Sequence, residues 1–401
     1  MNQEQAFFLR ALTDHLFQRP TEVPDGLNWN ELRAMAADHK LEGILYHQSR
    51  FYLKTHPELS PVRAAFEHAF KGTIMHTTSM DYELQCLSEA FGKAEIPFVP
   101  IKAAAISRFY PEPMLRTMGD MDLLVQADDA ERIRPVMEEL GYANKRWTER
   151  EWDYEKDQLS FELQSLLLHD TALEDAKQRA YLNDFWPHTF RDDKTGFLLL
   201  DWNFHFLYLI AHIGKHMKSA GVGFRQFFDL AVLTVRAPEL FDWKALAAHA
   251  EKAGLLTFAK SCLTLCRIWF GVPSPLPEQA LSEEDTESIT QYVFANGVFG
   301  FQNEEPRSKE LSRLRNQSKL PLPLLKLRVF LKFLFPSYRD LCTLTKYEGL
   351  RGRPWLLPWY WLKRIFRGMG SKRRASQAKT ILTISDHALS EGESRLQKLG
   401  L

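Results

Sequence analysis

The sequence predicts an α+β fold, a small mixed β-sheet flanked by N-terminal and C-terminal helical layers, and three observations support it. Short apolar runs of strand length cluster between residues 92 and 190. Apolar spacings of three and four, the mark of a helix with one buried face, dominate on either side. At 401 residues and 45% hydrophobic content the chain can bury more than one core, so two or three packed units are expected.

Residues 1–90 read as a helical region in which Ala6 to Phe17, Trp29 to Ala37 and Val62 to Phe91 carry the helical spacing. A strand-bearing core is placed at 91–195. There Ile96-Pro97-Phe98-Val99-Pro100-Ile101-Lys102 reads as a buried strand, and Ala103 to Tyr110 as a short helix stopped by Pro111 and Pro113. A second strand, Met121 to Val125, follows Gly119-Asp120. Ala127-Asp128-Asp129 then supplies an acidic N-cap for a helix whose Ile133, Val136, Met137 and Leu140 share one face and which Gly141 closes. Leu159-Ser160-Phe161-Glu162-Leu163 is a third strand, with one carboxylate among apolar neighbours. From 196 to 320 the helical pattern returns, over Phe197 to Met217, Phe224 to Arg236, Trp243 to Ala253 and Phe258 to Phe270. Residues 321–401 form a basic, aromatic arm and tail.

The segment Leu115 to Val125 carries the chemistry. Side chains alternate faces along a strand, so Asp120 and Asp122 are expected to point the same way, with Met121 and Leu123 turned aside. Two carboxylates held so close repel unless a cation lies between them, and Mg²⁺ prefers carboxylate oxygens. Taken alone, Asp-x-Asp also reads as a turn with Asp122 exposed. The order of elements around it favours the chelating pair.

That order, strand, helix, Gly-Asp-x-Asp strand, helix, acid-bearing strand, resembles the core of the polymerase-β-like nucleotidyltransferases. More closely, residues 40 to 370 resemble a bacterial family known only as uncharacterised nucleotidyltransferases, often associated with polysaccharide biosynthesis. The matching pieces are Ile101-Lys102-Ala103-Ala104, Arg116 to Val125, Glu162-Leu163, His212-Ile213-Gly214-Lys215-His216, Gly223 to Leu230 and Trp355-Leu356-Leu357-Pro358. The resemblance implies transfer of a nucleoside monophosphate from an NTP to a small-molecule, sugar or protein acceptor. It implies two Mg²⁺ (or Mn²⁺) ions on Asp120, Asp122 and Glu162, with Glu162 also taking the acceptor's proton. Lys102, Ala103, Arg116, Gly119, Lys215 and Arg225 are the expected nucleotide-binding positions. The chain departs from the family twice. Ala103-Ala104 stands where Gly is usual after the lysine, and a Cβ there limits close approach of backbone to a triphosphate. Gln164 stands where the family often has His, and an amide cannot relay a proton. A rival reading is a non-catalytic binding or assembly protein that keeps the fold and engages a glycan precursor or a membrane partner.

Lys plus Arg balance Asp plus Glu, 51 each. Overall charge therefore gives no reason to expect nucleic acid, whose partners present basic surfaces. Four cysteines are too few and scattered for a disulfide framework, and Cys262 and Cys266 are expected as small buried residues. The N-terminus lacks a signal-peptide pattern and no apolar run is long enough to span a bilayer. Together these features point to the cytoplasm of a bacterium.

His205, His212 and His216 recur at intervals of seven and four on about one helical face. Without a third ligand or a metalloprotease Glu, a structural or substrate-facing role is expected. Residues 321–374 carry thirteen Lys or Arg against Asp340 and Glu348, interleaved with Trp355, Trp359, Tyr360, Trp361 and Phe366. Such a mixture suits a peripheral contact with the inner membrane through residues 355–374. A competing expectation wraps the arm over the helical layer with its tryptophans buried, and is favoured because prolines interrupt the segment.

Overall fold

The computed structural model describes residues 1–168, 176–219, 221–298, 311, 314, 320–342, 344–368, 381–383 and 385–401. The first region becomes four helices, α1 (Gln3–Leu16), α2 (Trp29–Asp38), α3 (Glu42–Thr55) and α4 (Ser60–Lys93). Asn2 and Asn28 cap the first two, their side chains accepting hydrogen bonds from the Gln5 and Glu31 amides at 2.8 and 3.2 Å. The sequence reading left a gap where α3 lies. Its buried residues include Gly43 and Ser49, which blur the apolar stripe that would reveal a helix.

The sheet is built from β1 (Phe98–Pro100), β2 (Met121–Val125), β3 (Ala143–Trp147), β4 (Glu151–Lys156) and β5 (Leu159–Gln164), in the order β1-β2-β5-β4-β3. Only β2 and β5 run parallel. A parallel pair needs a long crossover, and here α6 (Ala130–Glu139) and the β3-β4 hairpin supply it. After β1 comes the single turn α5 (Ala103–Ile106), which tightens into a 3₁₀ turn over Ser107–Phe109, so the expected longer helix is split.

One face of the sheet is apolar. Met121, Leu123, Trp152, Tyr154, Phe161 and Leu163 pack with Leu84, Leu87 and Phe91 of α4 and with Ile133 and Met137 of α6. On the other side Val99, Ile101 and Leu124 join a larger core. To it contribute α1 to α3, α7 (Ala176–Asn183), α8 (Trp202–Ser219), α9 (Phe224–Arg236), α10 (Trp243–Lys252), α11 (Leu256–Phe270) and α12 (Glu283–Asn296). The N-terminal helices therefore share one core with helices that follow the sheet, and α4 reaches from that core, at Val62 and Phe66, to the sheet's own, at Met80. Cys262 and Cys266 are buried in α11 as small core residues.

The arm departs from the buried expectation. Trp355, Trp359 and Phe366 are 70%, 63% and 69% exposed. Trp361 is anchored, its indole Nε1 donating to the Pro336 carbonyl at 2.9 Å and its ring meeting Phe335. Pro358 does not interrupt the helix Leu357–Gly368 because it sits in the first turn, where its missing N–H leaves no bond unmade. Residues 369–374 of the expected membrane contact lie outside the described residues. Among the described residues no helix is long and apolar enough to cross a membrane.

Candidate active site

Strand register creates the acidic floor. Asp122 on β2 is paired with Glu162 on β5, and Glu162 with Asp153 on β4. Residues directly opposite one another in neighbouring strands share a face, so three carboxylates form a ladder across the sheet. Asp120, just before β2, joins them, and carboxylate oxygens of Asp120, Asp122 and Glu162 lie within 4.8 Å of one another. Glu151, Asp153 and Glu162 form an adjoining cluster of the same kind. Asp122 is 4% exposed, which rules out the turn in which it faces solvent. Burial raises its pKa to about 7, with Asp120 and Glu162 adding repulsion and Lys102 opposing it. Glu162 is likewise raised by burial and by its acidic neighbours, against the pull of Lys102.

Lys102 ends the run from β1 with its ammonium 2.5 Å from Asp122 Oδ1. Burial disfavours its charge, but Asp122, Tyr208, Glu162 and Asp120 outweigh that and hold its pKa well above the ordinary value. Its backbone is at φ +51°, ψ −128°, a region costly for a residue with a Cβ, by about 1–3 kcal/mol. His205 braces this conformation, its Nε2 accepting from the Lys102 amide at 3.2 Å. The unusual backbone falls on Lys102, whereas Ala103 begins the ordinary turn of α5. The Cβ of Ala103 thus meets no left-handed requirement.

The opposite wall comes from α8 and α9. His205, Tyr208, His212, Lys215 and His216 recur at helical intervals along α8; His212 and His216 touch through their Nε2 atoms at 3.0 Å. Burial lowers the pKa of Lys215, and Lys102 adds to this. At the start of α9, Gly223 is forced, because a Cβ there would lie 2.7 Å from the Val298 amide nitrogen. The following turn alternates duties: Phe224, Phe227 and Phe228 face the core, while Arg225 and Asp229, four apart, face the cavity. Asp229 grips Arg116 by two bonds of 2.6 Å and accepts from the Tyr110 hydroxyl at 2.5 Å. Arg225 donates to the Thr117 carbonyl at 3.0 Å, as Arg116 does at 2.5 Å. Burial and the neighbouring Arg116 bring the pKa of Arg225 down to about 10.

One cavity is lined by Lys102, Ala103, Arg116, Gly119, Asp120, Asp122, Glu162, Lys215 and Arg225, together with His212, His216 and Asp229. Every expected metal- and nucleotide-binding position is therefore brought to the same place, from the end of β1, α5, the loop into β2, β2, β5, α8 and α9, whereas His205 is not among the lining residues. Beside Gly119 a Cβ would meet no heavy atom within 4 Å, so the backbone there borders open space. Sequence reasoning missed Asp153 and Glu151. Their signal was present, because Glu151-Trp152-Asp153-Tyr154-Glu155 alternates acids with aromatics at the strand period. It also missed Tyr208 and the anchoring role of Asp229, for which pairing across more than a hundred residues left no local sign.

A mixed sheet with a carboxylate ladder, facing cations across a cavity and covered by helices, is the core of a nucleotidyltransferase. The particular family follows from comparison: a family model described as uncharacterised nucleotidyltransferase matches residues 25–271, and the chain belongs to that family. Neither a curated protein nor a solved structure matches it. Nucleotidyltransferases generally use divalent metals, and acidic groups here are positioned to bind one.

Proposed function

We propose that the chain transfers a nucleoside monophosphate from an NTP to a hydroxyl on a small molecule, sugar or protein, and that the reaction needs divalent metal. The observation that carries this reading is the strand register that aligns Asp122, Glu162 and Asp153 beneath a wall of cations. Asp120, Asp122 and Glu162 suit Mg²⁺ or Mn²⁺, since an exposed, a buried and a half-buried carboxylate converge and the ammonium already on Asp122 marks the spot as cation-seeking. When bound there, the metal would neutralise charge gathering on the transferred phosphoryl group.

The chain's own groups supply the rest. The acceptor oxygen bonds to the α-phosphorus as the bond to pyrophosphate breaks, and the acceptor's proton passes to Glu162, the carboxylate beside Asp122 on the neighbouring strand. Lys102 is placed to leave Asp122 for the triphosphate, and Arg225 and Lys215 face the same space. Arg116 has a different duty. Its guanidinium is occupied by Asp229, so it fixes the loop before Asp120 and passes its influence through Thr117. Incubating the full chain with each labelled NTP and Mg²⁺ or Mn²⁺ tests the reading. Metal-dependent pyrophosphate release that disappears in Asp120→Asn is the expected result; no turnover and no metal-dependent NTP binding would overturn it in favour of an assembly protein.

The reading extends to location. Trp355, Trp359, Leu362 and Phe366 fall at intervals of four, three and four, so one face of the helix Leu357–Gly368 and the turn before it presents four exposed apolar side chains. Lys363 and Arg367 flank that face. Leu324, Leu327 and Leu331 make a similar exposed row on the helix Leu322–Leu334, joined to the first through Phe335 and Trp361. Apolar faces edged by cations match an anionic lipid surface, where rings enter the headgroup region and cations meet phosphate. Salt-sensitive sedimentation with anionic vesicles supports the contact; equal behaviour with neutral vesicles or none at all refutes it.

A further inference from the structure

Beyond the cavity, a second group of ligand-type side chains lies where α1, α3 and the loop leading to Arg116 meet. His15 sits in the last turn of α1, His47 in the first half of α3, and Glu112 at the start of the 3₁₀ turn Pro113–Leu115. One ligand atom from each lies within 4.8 Å of the others. His15 Nε2 is 3.4 Å from Glu112 Oε2, and His47 Nε2 is 3.8 Å from Glu112 Oε1. His15 is 1% exposed, yet its Nε2 and the facing Glu112 Oε2 have no hydrogen-bond partner among the described residues. Two buried polar atoms left unpaired in one spot ask for a third party that satisfies both.

We infer that His15, His47 and Glu112 form a second divalent-cation site, suited to a borderline-soft ion of the zinc type, that ties the N-terminal helices to the loop carrying Arg116. The separations support it. Tetrahedral bonds of about 2.0–2.1 Å put ligand atoms about 3.4 Å apart, close to the two spacings observed, so little movement is needed to close the site. An ion pair accounts for the cluster less well, because at 3.4 and 3.8 Å the contacts leave His15 Nε2 and Glu112 Oε2 without a hydrogen bond among the described residues. His47 and Glu112 are half-buried, which gives an ion a way in and leaves room for water as a fourth ligand.

The site has a structural consequence. Leu115, three residues after Glu112, is buried and lies against Gly43 in the first turn of α3, where a Cβ would be 3.4 Å from it. The next residue is Arg116, held by Asp229. A cation on Glu112 would therefore brace the loop at one end while Asp229 holds the other, and the Asp120 segment follows directly. The inference does not depend on nucleotidyl transfer, and its readout is metal content.

Chelator-stripped protein carrying Asp120→Asn and Asp122→Asn, which removes the cavity's chelating pair, is dialysed against Co²⁺ and assayed for bound metal and visible absorption. One Co²⁺ per chain with the intense absorption of a tetrahedral site is expected, together with a higher melting temperature. Adding His47→Gln should weaken binding by more than the roughly 10–100-fold that losing a hydrogen-bond partner of a ligand costs. Glu112→Gln, also half-exposed, gives the same readout if the His47 variant does not fold. Absence of tight Co²⁺ in the double variant, or binding unchanged by both ligand substitutions, overturns the site.

Discussion

Asp122 is 4% exposed and Trp355 is 70% exposed, so the sheet and the C-terminal arm break opposite rules of protein architecture. The sheet buries charge beside like charge; the arm offers large apolar rings to solvent. Each arrangement costs stability where it stands, through repulsion and desolvation in the first case and hydrated apolar surface in the second. Among the described residues, neither is compensated by packing nearby. Lys102 offsets the acids only in part, since Asp122 remains raised despite it, and Trp361 anchors the arm while its neighbours stay uncovered. Features that a fold keeps at a cost motivate the two contacts proposed above, a cation at the acids and an anionic lipid surface at the arm.

The comparison can be broken most severely at the acids. Asp122→Asn should lower nucleotidyl transfer by roughly 10³-fold or more, at the upper end of what losing one charge-organising group costs. Steady-state pyrophosphate release at saturating NTP measures it, and activity within tenfold of the parent would show that Asp122 is structural.

A smaller effect is expected at the arm. Burying an aromatic side chain is worth about 1.5–3 kcal/mol, so losing two together, Trp359→Ala with Phe366→Ala, should weaken binding to anionic vesicles by roughly 100-fold or more. Charge reversal at Lys363 and Arg367 removes about 1 kcal/mol each and should also flatten the salt dependence. Unchanged partitioning in both variants, with melting curves that match the parent, would separate the exposed rings from any lipid role.

The smallest effect sharpens the account of the ladder. Burial raises the Asp153 pKa from 3.8 to about 6, with Glu151 adding to it and Arg146 opposing. A carboxyl raised in the folded state favours folding when protonated and loses that advantage as pH climbs from 3.8 through 6. Asp153→Asn should therefore melt higher than the parent at pH 8 in EDTA, by roughly 1 kcal/mol after allowing for partial solvation, and match it near pH 3. A variant that melts lower at pH 8 would mean that Asp153 accepts a needed hydrogen bond.

Much of the site was legible because strand and helix periods are local. Asp120 and Asp122 stood two apart at a strand, Glu162 stood alone in an apolar strand, and Gly223 to Leu230 carried a helical stripe with three polar positions left over. The wrong expectation, a buried arm, came from treating Pro358 as a break without knowing that it would fall in a helix's first turn. His15, His47 and Glu112, separated by 32 and 65 residues, gave no pattern at all.

By itself, then, the sequence determined which residues lie on a common face of each element, since side-chain direction follows from backbone period alone. It singled out Asp120, Asp122 and Glu162 among the acids, the cationic helix and the aromatic row. Only the tertiary structure decided that β2 and β5 pair in parallel with Asp122 beside Glu162, that Asp229 holds Arg116 across 113 residues, and that α1 to α3 share a core with α8 to α12. Those choices depend on which surfaces meet, and contact between distant segments is set by the sum of burial over the whole chain, which no local spacing records.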